Sequence, residues 1–224
     1  MKFKDLGWIG CLLAIGLIFL FPSSKTWFET ATASHPYAMG FLKTSILATM
    51  GELLVARIKT GKYFNVLGLG YKWFVWGVLG MVFALVFPLF SGGVSSLKES
   101  GLIPRLPSYS LDVTMTAFLT SVLMNAIFAP SFMILHRITD TFIEKGNGVF
   151  RQIIRVSFPD VIESIDWKRF FGFVVLKTIP FFWIPAHTIT FLLPGTYRVL
   201  MASALSIVLG VLLTIAKSKK NKQF

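Results

Sequence analysis

The sequence predicts an all-α fold, namely a polytopic bundle of about six transmembrane helices with both termini in the cytoplasm. Of its 224 residues, 54% are hydrophobic and 14% are charged, and the mean hydropathy is +0.71. A soluble domain carries about 25% charged residues, so this composition argues against a soluble enzyme, a disordered chain and a collagen. The single cysteine, Cys11, rules out an internal disulfide.

Six stretches approach the roughly 20 apolar residues that a helix needs to cross a bilayer. They are residues 6–21, 37–58, 73–90, 112–135, 170–193 and 197–216. None shows the strict alternation of a membrane β-barrel. Helices are therefore the predicted spanning element, since lipid cannot satisfy unpaired backbone groups.

The distribution of basic residues predicts the orientation. At the ends of the spans, 16 Lys and Arg residues fall on one side and 4 on the other, and Lys43 and Lys177 lie inside spans. The positive-inside rule then places both termini in the cytoplasm. Because the basic residues flank spans, the net charge of +12 predicts contact with anionic lipid headgroups and no nucleic-acid partner. A bacterial inner membrane is the expected location, with an organellar membrane as the alternative.

The chain divides into an N-terminal anchor (residues 1–25), a helix bundle (26–216) and a basic cytoplasmic tail (217–224). The anchor has an alternative interpretation as a cleaved signal peptide, because residues 31–33 (Ala-Thr-Ala) resemble a cleavage site. That site lies far beyond the apolar core, which favours a retained anchor. Residues 26–34 are expected at the interface. Within the loop 137–169, residues 149–156 predict an interfacial amphipathic helix, with a solvated linker as the alternative.

Two ionisable residues are predicted to lie about 10 Å deep in the membrane from the same side. Glu52 lies on a small, polar face of its span, and Lys177 lies at a similar depth in the fifth span. A Glu52–Lys177 ion pair would reduce the cost of burying either charge. In the alternative, Glu52 is protonated or bonded to Thr or backbone, and Lys177 extends to the interface. Lys43, on the opposite face from Glu52, is expected to snorkel.

The fourth and fifth spans contain further polar and helix-breaking residues. Asn125 either joins two helices or lines a cavity, and Pro130 should bend the helix after it. In the fifth span, Pro180 and Pro185 remove backbone hydrogen bonds. Irregular backbone is tolerated at membrane depth where protein or water covers it, so this segment is a candidate pore wall, with a kinked packing helix as the alternative. The candidate wall residues are Glu52, Asn125, Lys177, His187 and Thr190.

No enzyme signature is present, and we expect no catalytic activity, cofactor or metal. The three histidines (His35, His136 and His187) lack metal-ligand spacing, and neither a nucleophile elbow nor a P-loop occurs. The stripe Ala202, Ser206 and Gly210 predicts close helix packing. A homo-oligomer is among the arrangements that we consider.

Several short motifs follow one another along the predicted bundle. They are His35-Pro36, Gly51-Glu52, Phe128-Ala129-Pro130, Phe158-Pro159-Asp160, and the run from Trp183-Ile184-Pro185 through Thr190-Phe191 and Pro194 to Tyr197-Arg198. In the order and spacing of these motifs, over roughly residues 26–216, the chain resembles the Mpv-seventeen / twenty-two-kilodalton peroxisomal membrane protein family.

Departures from the family pattern identify a divergent, prokaryotic member. Glu52 stands where the family has Asp, His187 lies in the region of a Gln, and Thr190 in that of an Asn. The resemblance implies a membrane helix bundle. It also implies a weakly selective channel for small solutes, an activity in which some relatives are implicated.

Two hypotheses for function follow. In the first, the protein forms or gates a weakly selective pathway for small solutes or ions, and its polar residues line the wall. In the second, it is a non-conducting scaffold or partner-binding protein, and the same polar residues hold the helices together.

Overall fold

The computed structural model of the protein describes residues 3–220, and these are almost entirely helical with no strand among them. The helices are α1 (Phe3–Leu17), α2 (Pro22–Ser34), α3 (Pro36–Thr60), α4 (Leu69–Glu99), α5 (Tyr109–Ile127), α6 (Ala129–Lys145), α7 (Phe150–Ile153), α8 (Phe158–Ser164), α9 (Trp167–Arg169), a π-helix (Phe170–Trp183), α10 (Ile184–Leu192) and α11 (Gly195–Lys220). Of the predicted basic tail, residues 221–224 lie outside the described residues.

Within the described chain, five segments are long and apolar enough to span a membrane, as expected for a multi-pass integral membrane protein. They are α3, α4, α5, the continuous helix Trp167–Leu192, and Gly195–Leu212 of α11. They correspond to the second through sixth predicted spans. The first predicted span is instead part of a bent pair, α1 and α2, whose axes meet at 83°. A sixth span requires counting this pair as one, so the number of six and the orientation stay predictions.

Helix α1 is attached to α3 by polar contacts. The guanidinium of Arg57 donates to both carboxylate oxygens of Asp5, at 2.7 and 3.0 Å, and the indole of Trp8 donates to the carbonyl oxygen of Met50 at 3.0 Å. Helix α2 then turns across the N-terminal ends of α3 and α11. The predicted boundary between residues 25 and 26 falls inside α2.

The bundle core is a ring of five segments. Helix α3 packs on α4, α4 on α5, α5 on α10, α10 on α11, and α11 back on α3. Two glycines allow the tightest of these contacts. A Cβ atom added to Gly40 would lie 2.5 Å from the carbonyl oxygen of Gly80, so the backbones of α3 and α4 touch in the manner of small-residue membrane packing.

The fourth predicted span and the following loop differ from expectation. Residues 112–135 do not form one helix, because the chain breaks at Phe128 and α6 begins with Ala129 and Pro130 in its first turn. Proline fits there because the first-turn N–H groups have no helical partner. The predicted amphipathic helix at 149–156 is wrong, since only the four residues of α7 are helical; the amphipathic helix is α6, which extends to Lys145.

The fifth predicted span has a less common irregularity. Residues 170–183 form a π-helix that contains Pro180, and α10 follows with Pro185 in its first turn. Most π-helices are single-turn bulges. Here the wider winding extends over 14 residues, which changes the direction that each side chain faces relative to an α-helix.

Candidate functional site

A cavity of about 440 Å³ lies inside the bundle. It follows α3 from Lys59 to Thr44 and is bordered by α4, α5, α6, the π-helix, α10 and α11. Its wall includes Ala48, Glu52, Trp76, Phe83, Phe87, Met124, Asn125, Phe128, Phe132, His136, Arg137, Asp140, Phe170, Thr178, Trp183, His187, Ser203, Ser206 and Thr214. We call the end near Lys59, Arg137 and Asp140 the basic end, because α3, α6 and α9 carry basic residues there, and the other the deep end.

The basic end holds a charged cluster from three helices. The ammonium of Lys72 lies 3.2 Å from Asp140 Oδ1 and 3.6 Å from Glu52 Oε2. His136 Nε2 lies 3.8 Å from Asp140 Oδ2, one helical turn away on α6. The Lys72 side chain is only 9% exposed, so these carboxylates are its compensation for burial.

The predicted ion pair between Glu52 and Lys177 is wrong. Lys177 is exposed on the outside of the π-helix, whereas its neighbour Thr178 lines the cavity. Glu52 does face the interior, but its partner is Lys72. The prediction rested on the similar depth of the two residues in the membrane. Depth gives no information on the direction in which either side chain points.

The deep end contains a hydrogen-bonded pair. The amide of Asn125 lies with Nδ2 3.1 Å and Oδ1 3.2 Å from His187 Nδ1, so the pair can bond in either histidine tautomer. Asn125 also donates to the carbonyl oxygen of Ser121 at 2.8 Å, and Ser121 donates to that of Ile184 at 2.7 Å. Asn125 thus both joins helices and lines the cavity.

Thr190 is fully buried but does not line this cavity. Its hydroxyl donates to the carbonyl oxygen of Ala186 at 3.0 Å, within α10. Of the five predicted wall residues, Glu52, Asn125 and His187 come together around the cavity, and Lys177 and Thr190 do not.

Lys43 does not snorkel. Its side chain is buried, with Nζ donating to Thr32 Oγ1 at 3.1 Å and to the carbonyl oxygen of Thr196 at 3.2 Å, and lying 4.8 Å from the centre of the Phe28 ring. Helix α2 covers this position and prevents the ammonium from reaching the interface. Lys43 therefore ties α2 to α3 and α11.

Buried apolar side chains form one side of the deep end. Phe87 and Met124 are each 2% exposed and line the cavity. They pack with further buried residues in one cluster, Val86, Ala117, Phe191, Val199 and Ala202. This side of the cavity is therefore backed by apolar core.

Glu52, His136 and Asp140 are the described residues that could share a metal ion, because one ligand atom from each lies within 4.8 Å of the others. Lys72 already lies against both carboxylates. Its ammonium supplies the positive charge that a metal ion would bring, so we assign no metal to this cluster.

Sequence reasoning missed Lys72 and Asp140, because both were assigned to loops at the membrane edge. For Asp140 a signal was present, because His136 and Asp140 are four residues apart on an amphipathic helix. This spacing places the two side chains on one face of the helix. The indoles of Trp76 and Trp183 in the cavity wall were likewise not singled out as polar groups.

No family model, curated protein or solved structure matches the chain.

Proposed function

We propose that the protein forms or gates a weakly selective pathway for small solutes or ions across the membrane. The observation that carries this proposal is the length of the cavity. Along α3 it extends from Thr44 to Lys59, which lies 15 positions further along the chain, and this is about 22 Å at 1.5 Å per residue. The hydrocarbon core of a bilayer is about 30 Å thick, so the length of the cavity approaches the distance that a pathway must cover.

The polar residues of the wall support the proposal. Ionisable side chains at membrane depth commonly face a cavity or a partner, and Glu52 and His187 do both. They mark two levels, one near the basic end and one near the deep end. Solutes entering from the basic end would therefore meet polar groups at both.

We assign the described conformation to the closed state of this pathway. The layer of Phe87 and Met124 at the deep end supports this assignment, because apolar constrictions can gate by excluding water. The layer is formed by α4, α5, α10 and α11, and two of these adjoin an irregular segment, since α5 ends at the break at Phe128 and α10 follows the π-helix. Opening would then need those segments to move away from α4.

Flux through reconstituted liposomes tests the proposal. Wild type, Phe87→Ala, Ala48→Trp and Lys177→Met would be compared for potassium chloride conductance and for ribose-driven swelling. We expect Phe87→Ala to raise the flux at least severalfold and Ala48→Trp, which fills the cavity, to lower it. Lys177→Met, on the outer surface, should match wild type. Flux equal to that of protein-free liposomes in both wild type and Phe87→Ala would overturn the proposal.

A second candidate is the non-conducting scaffold. Hydrogen bonds between helices favour it, such as Thr44 Oγ1 to Ser203 Oγ at 2.9 Å and Ser121 Oγ to the carbonyl oxygen of Ile184 at 2.7 Å. Such bonds hold helices in one arrangement. If the protein is such a scaffold, Phe87→Ala and Ala48→Trp should change its stability, and neither wild type nor variants should support flux through liposomes.

From the resemblance described above, we also propose that the chain is a divergent member of the Mpv-seventeen / twenty-two-kilodalton peroxisomal membrane protein family in a bacterial inner membrane. The motif Phe128-Ala129-Pro130, which forms the α5–α6 break, and the Pro185 segment both contribute to the cavity wall. Channel activity comes to this chain from that family by analogy only.

A further inference from the structure

A second pocket, separate from the bundle cavity, lies where the start of α1 meets the connection between α3 and α4. Its volume is about 220 Å³, and its charged lining residues are Lys4, Arg57 and Lys62. None of its lining residues also lines the bundle cavity. A ligand of this pocket therefore contacts other residues than a solute in the proposed pathway does.

The lining of this pocket carries uncompensated positive charge. Arg57 is neutralised by Asp5, to which its guanidinium donates at 2.7 and 3.0 Å. Lys4 and Lys62 are exposed, and neither forms an ion pair with a carboxylate of residues 3–220. The described lining residues include no acidic side chain. The pocket therefore has two positive charges in excess, and it favours an anion.

Hydrogen bonds hold the backbone on both sides of the pocket. Arg57 also donates from Nη1 to the carbonyl oxygen of Gly61 at 2.9 Å, and the Tyr63 hydroxyl donates to Asp5 Oδ1 at 3.1 Å. These bonds connect the first turn of α1 to the end of α3 and to the segment after it. Each of the two lysines is a sequence neighbour of a residue held in this way. The pocket is thus preformed, which reduces the entropy lost on binding.

The position of the pocket favours a phosphate group as this anion. Lys62 lies two positions after the end of α3, which is one of the five candidate spans. Charged residues at the end of a span lie at the level of the lipid headgroups, and basic pockets between membrane helices bind anionic headgroups. The Phe64 ring, which lines the pocket and is 77% exposed, is suited to contact with acyl chains beside it. The pocket is smaller than the roughly 300–1,000 Å³ typical of drug-sized ligands, which suits one compact headgroup.

We propose that this pocket binds a phosphate group, with the ammonium groups of Lys4 and Lys62 as its charge partners, and that an anionic phospholipid supplies the phosphate. Lysine binds phosphate as a point charge, so the two ammonium groups need no bidentate geometry. The choline group of a zwitterionic lipid would add a cation to a pocket that already has positive charge in excess. Phosphatidylglycerol should therefore be preferred to phosphatidylcholine. This preference requires no conduction, so it stands or falls separately from the proposed pathway.

Lipid binding in detergent tests the site, because binding there does not depend on the orientation of the protein in a membrane. Native mass spectrometry would give the dissociation constants of the first bound dioctanoyl phosphatidylglycerol and dioctanoyl phosphatidylcholine. We expect Lys4→Gln combined with Lys62→Gln to weaken phosphatidylglycerol binding about tenfold, since both charge partners are removed, and to leave phosphatidylcholine binding unchanged. Lys145→Gln combined with Lys168→Gln is the matched control, because both lysines are exposed and neither lines the pocket. This control loses the same charge and should bind phosphatidylglycerol as wild type does; an equal loss in both double variants would overturn the proposal.

Acetylation of the lysines in the wild type keeps the test decisive if the double variant does not fold. We expect phosphatidylglycerol to slow acetylation of Lys4 and Lys62 and to leave that of Lys145 and Lys168 unchanged. The probe sn-glycerol 3-phosphate, added separately, distinguishes the source of the phosphate. Protection by it as strong as that by the lipid would support the phosphate site and overturn the lipid as its source. Equal affinity of wild type for the two lipids, or protection no greater at Lys4 and Lys62 than at the control lysines, would overturn the proposal, whatever the flux measurements give.

Discussion

Lys72 and Asp140 form an ion pair between α4 and α6, with the ammonium Nζ 3.2 Å from the carboxylate Oδ1. Glu52 on α3 lies 3.6 Å from the same ammonium. One buried lysine therefore connects three helices that are distant in sequence. It holds together two carboxylates, those of Glu52 and Asp140, that line the basic end of the cavity.

Replacing this lysine should destabilise the protein strongly. Lys72→Met would leave Glu52 and Asp140 facing each other without their shared cation, and removal of one partner from a buried ion pair costs about 3–5 kcal/mol. We expect a lower midpoint of thermal unfolding in detergent.

The exposed Lys177→Met is the control and should unfold as wild type does. Adding Glu52→Gln to Lys72→Met should recover part of the loss, because one of the two unpaired carboxylates is gone. A single Lys72→Met variant as stable as wild type would show that the pair does not hold the helices.

The close contact of α3 and α4 gives a second prediction. A Cβ at Gly80 would meet the carbonyl oxygen of Gly40 and lie 2.5 Å from Thr44 Oγ1. Gly80→Ala should therefore force the helices apart and cost about 2 kcal/mol or more. Gly92→Ala is matched within α4, since its Cβ would meet no atom within 4 Å, and it should be neutral or stabilising by up to about 1 kcal/mol. Urea unfolding in mixed micelles distinguishes the two; equal stability of both variants would contradict the contact.

The helical character and five of the spans could be predicted because they depend on local composition. Apolar runs of about 20 residues have one compatible structure in lipid. The first span stays a prediction, because its apolar run ends in a bend before Pro22 and only α1 and α2 taken together are long and apolar enough to span a membrane.

The directions of side chains could not be predicted in the same way. Three of the predicted residues do line the cavity, namely Glu52, Asn125 and His187. Each lies in a regular α-helix, where the helical period gives the direction of the side chain. Lys177 does not line the cavity, since it lies in a π-helix whose winding the sequence did not reveal. Lys72 was taken for a residue of the membrane edge, and the packing of α3 and α6 against α4 makes it buried.

Asn125 provides a third prediction at the deep end. Asn125→Leu removes the bonds to His187 and to the carbonyl oxygen of Ser121 and leaves the histidine without this partner. Hydrogen bonds between membrane helices contribute about 0.6 kcal/mol on average and up to about 1.7, so we expect a loss of about 1–2 kcal/mol. Thermal unfolding measures it, with the exposed Asn65→Ala as control. An unchanged unfolding midpoint would show that the contact of Asn125 with His187 does not help to hold α5 against α10.

The last prediction concerns pH and the attachment of α1. Tyr63, in the connection between α3 and α4, donates a hydrogen bond to Asp5 Oδ1 at 3.1 Å. Burial, together with this bond, raises the pKa of its phenol above the ordinary value of 10.0. The neutral phenol is thus favoured in the folded state, so its contribution to stability is complete below pH 10 and is lost as the pH rises through the pKa of the folded state.

The unfolding midpoints of wild type and Tyr63→Phe should therefore differ most below about pH 9 and converge above pH 10, since only wild type can ionise there. Other titrating groups cancel in the comparison. Tyr109→Phe, at a tyrosine that is 84% exposed, should show no such convergence. If the difference between wild type and Tyr63→Phe stayed constant up to pH 11, the phenol would not be held neutral by Asp5 and by burial, and its role in attaching α1 would be lost.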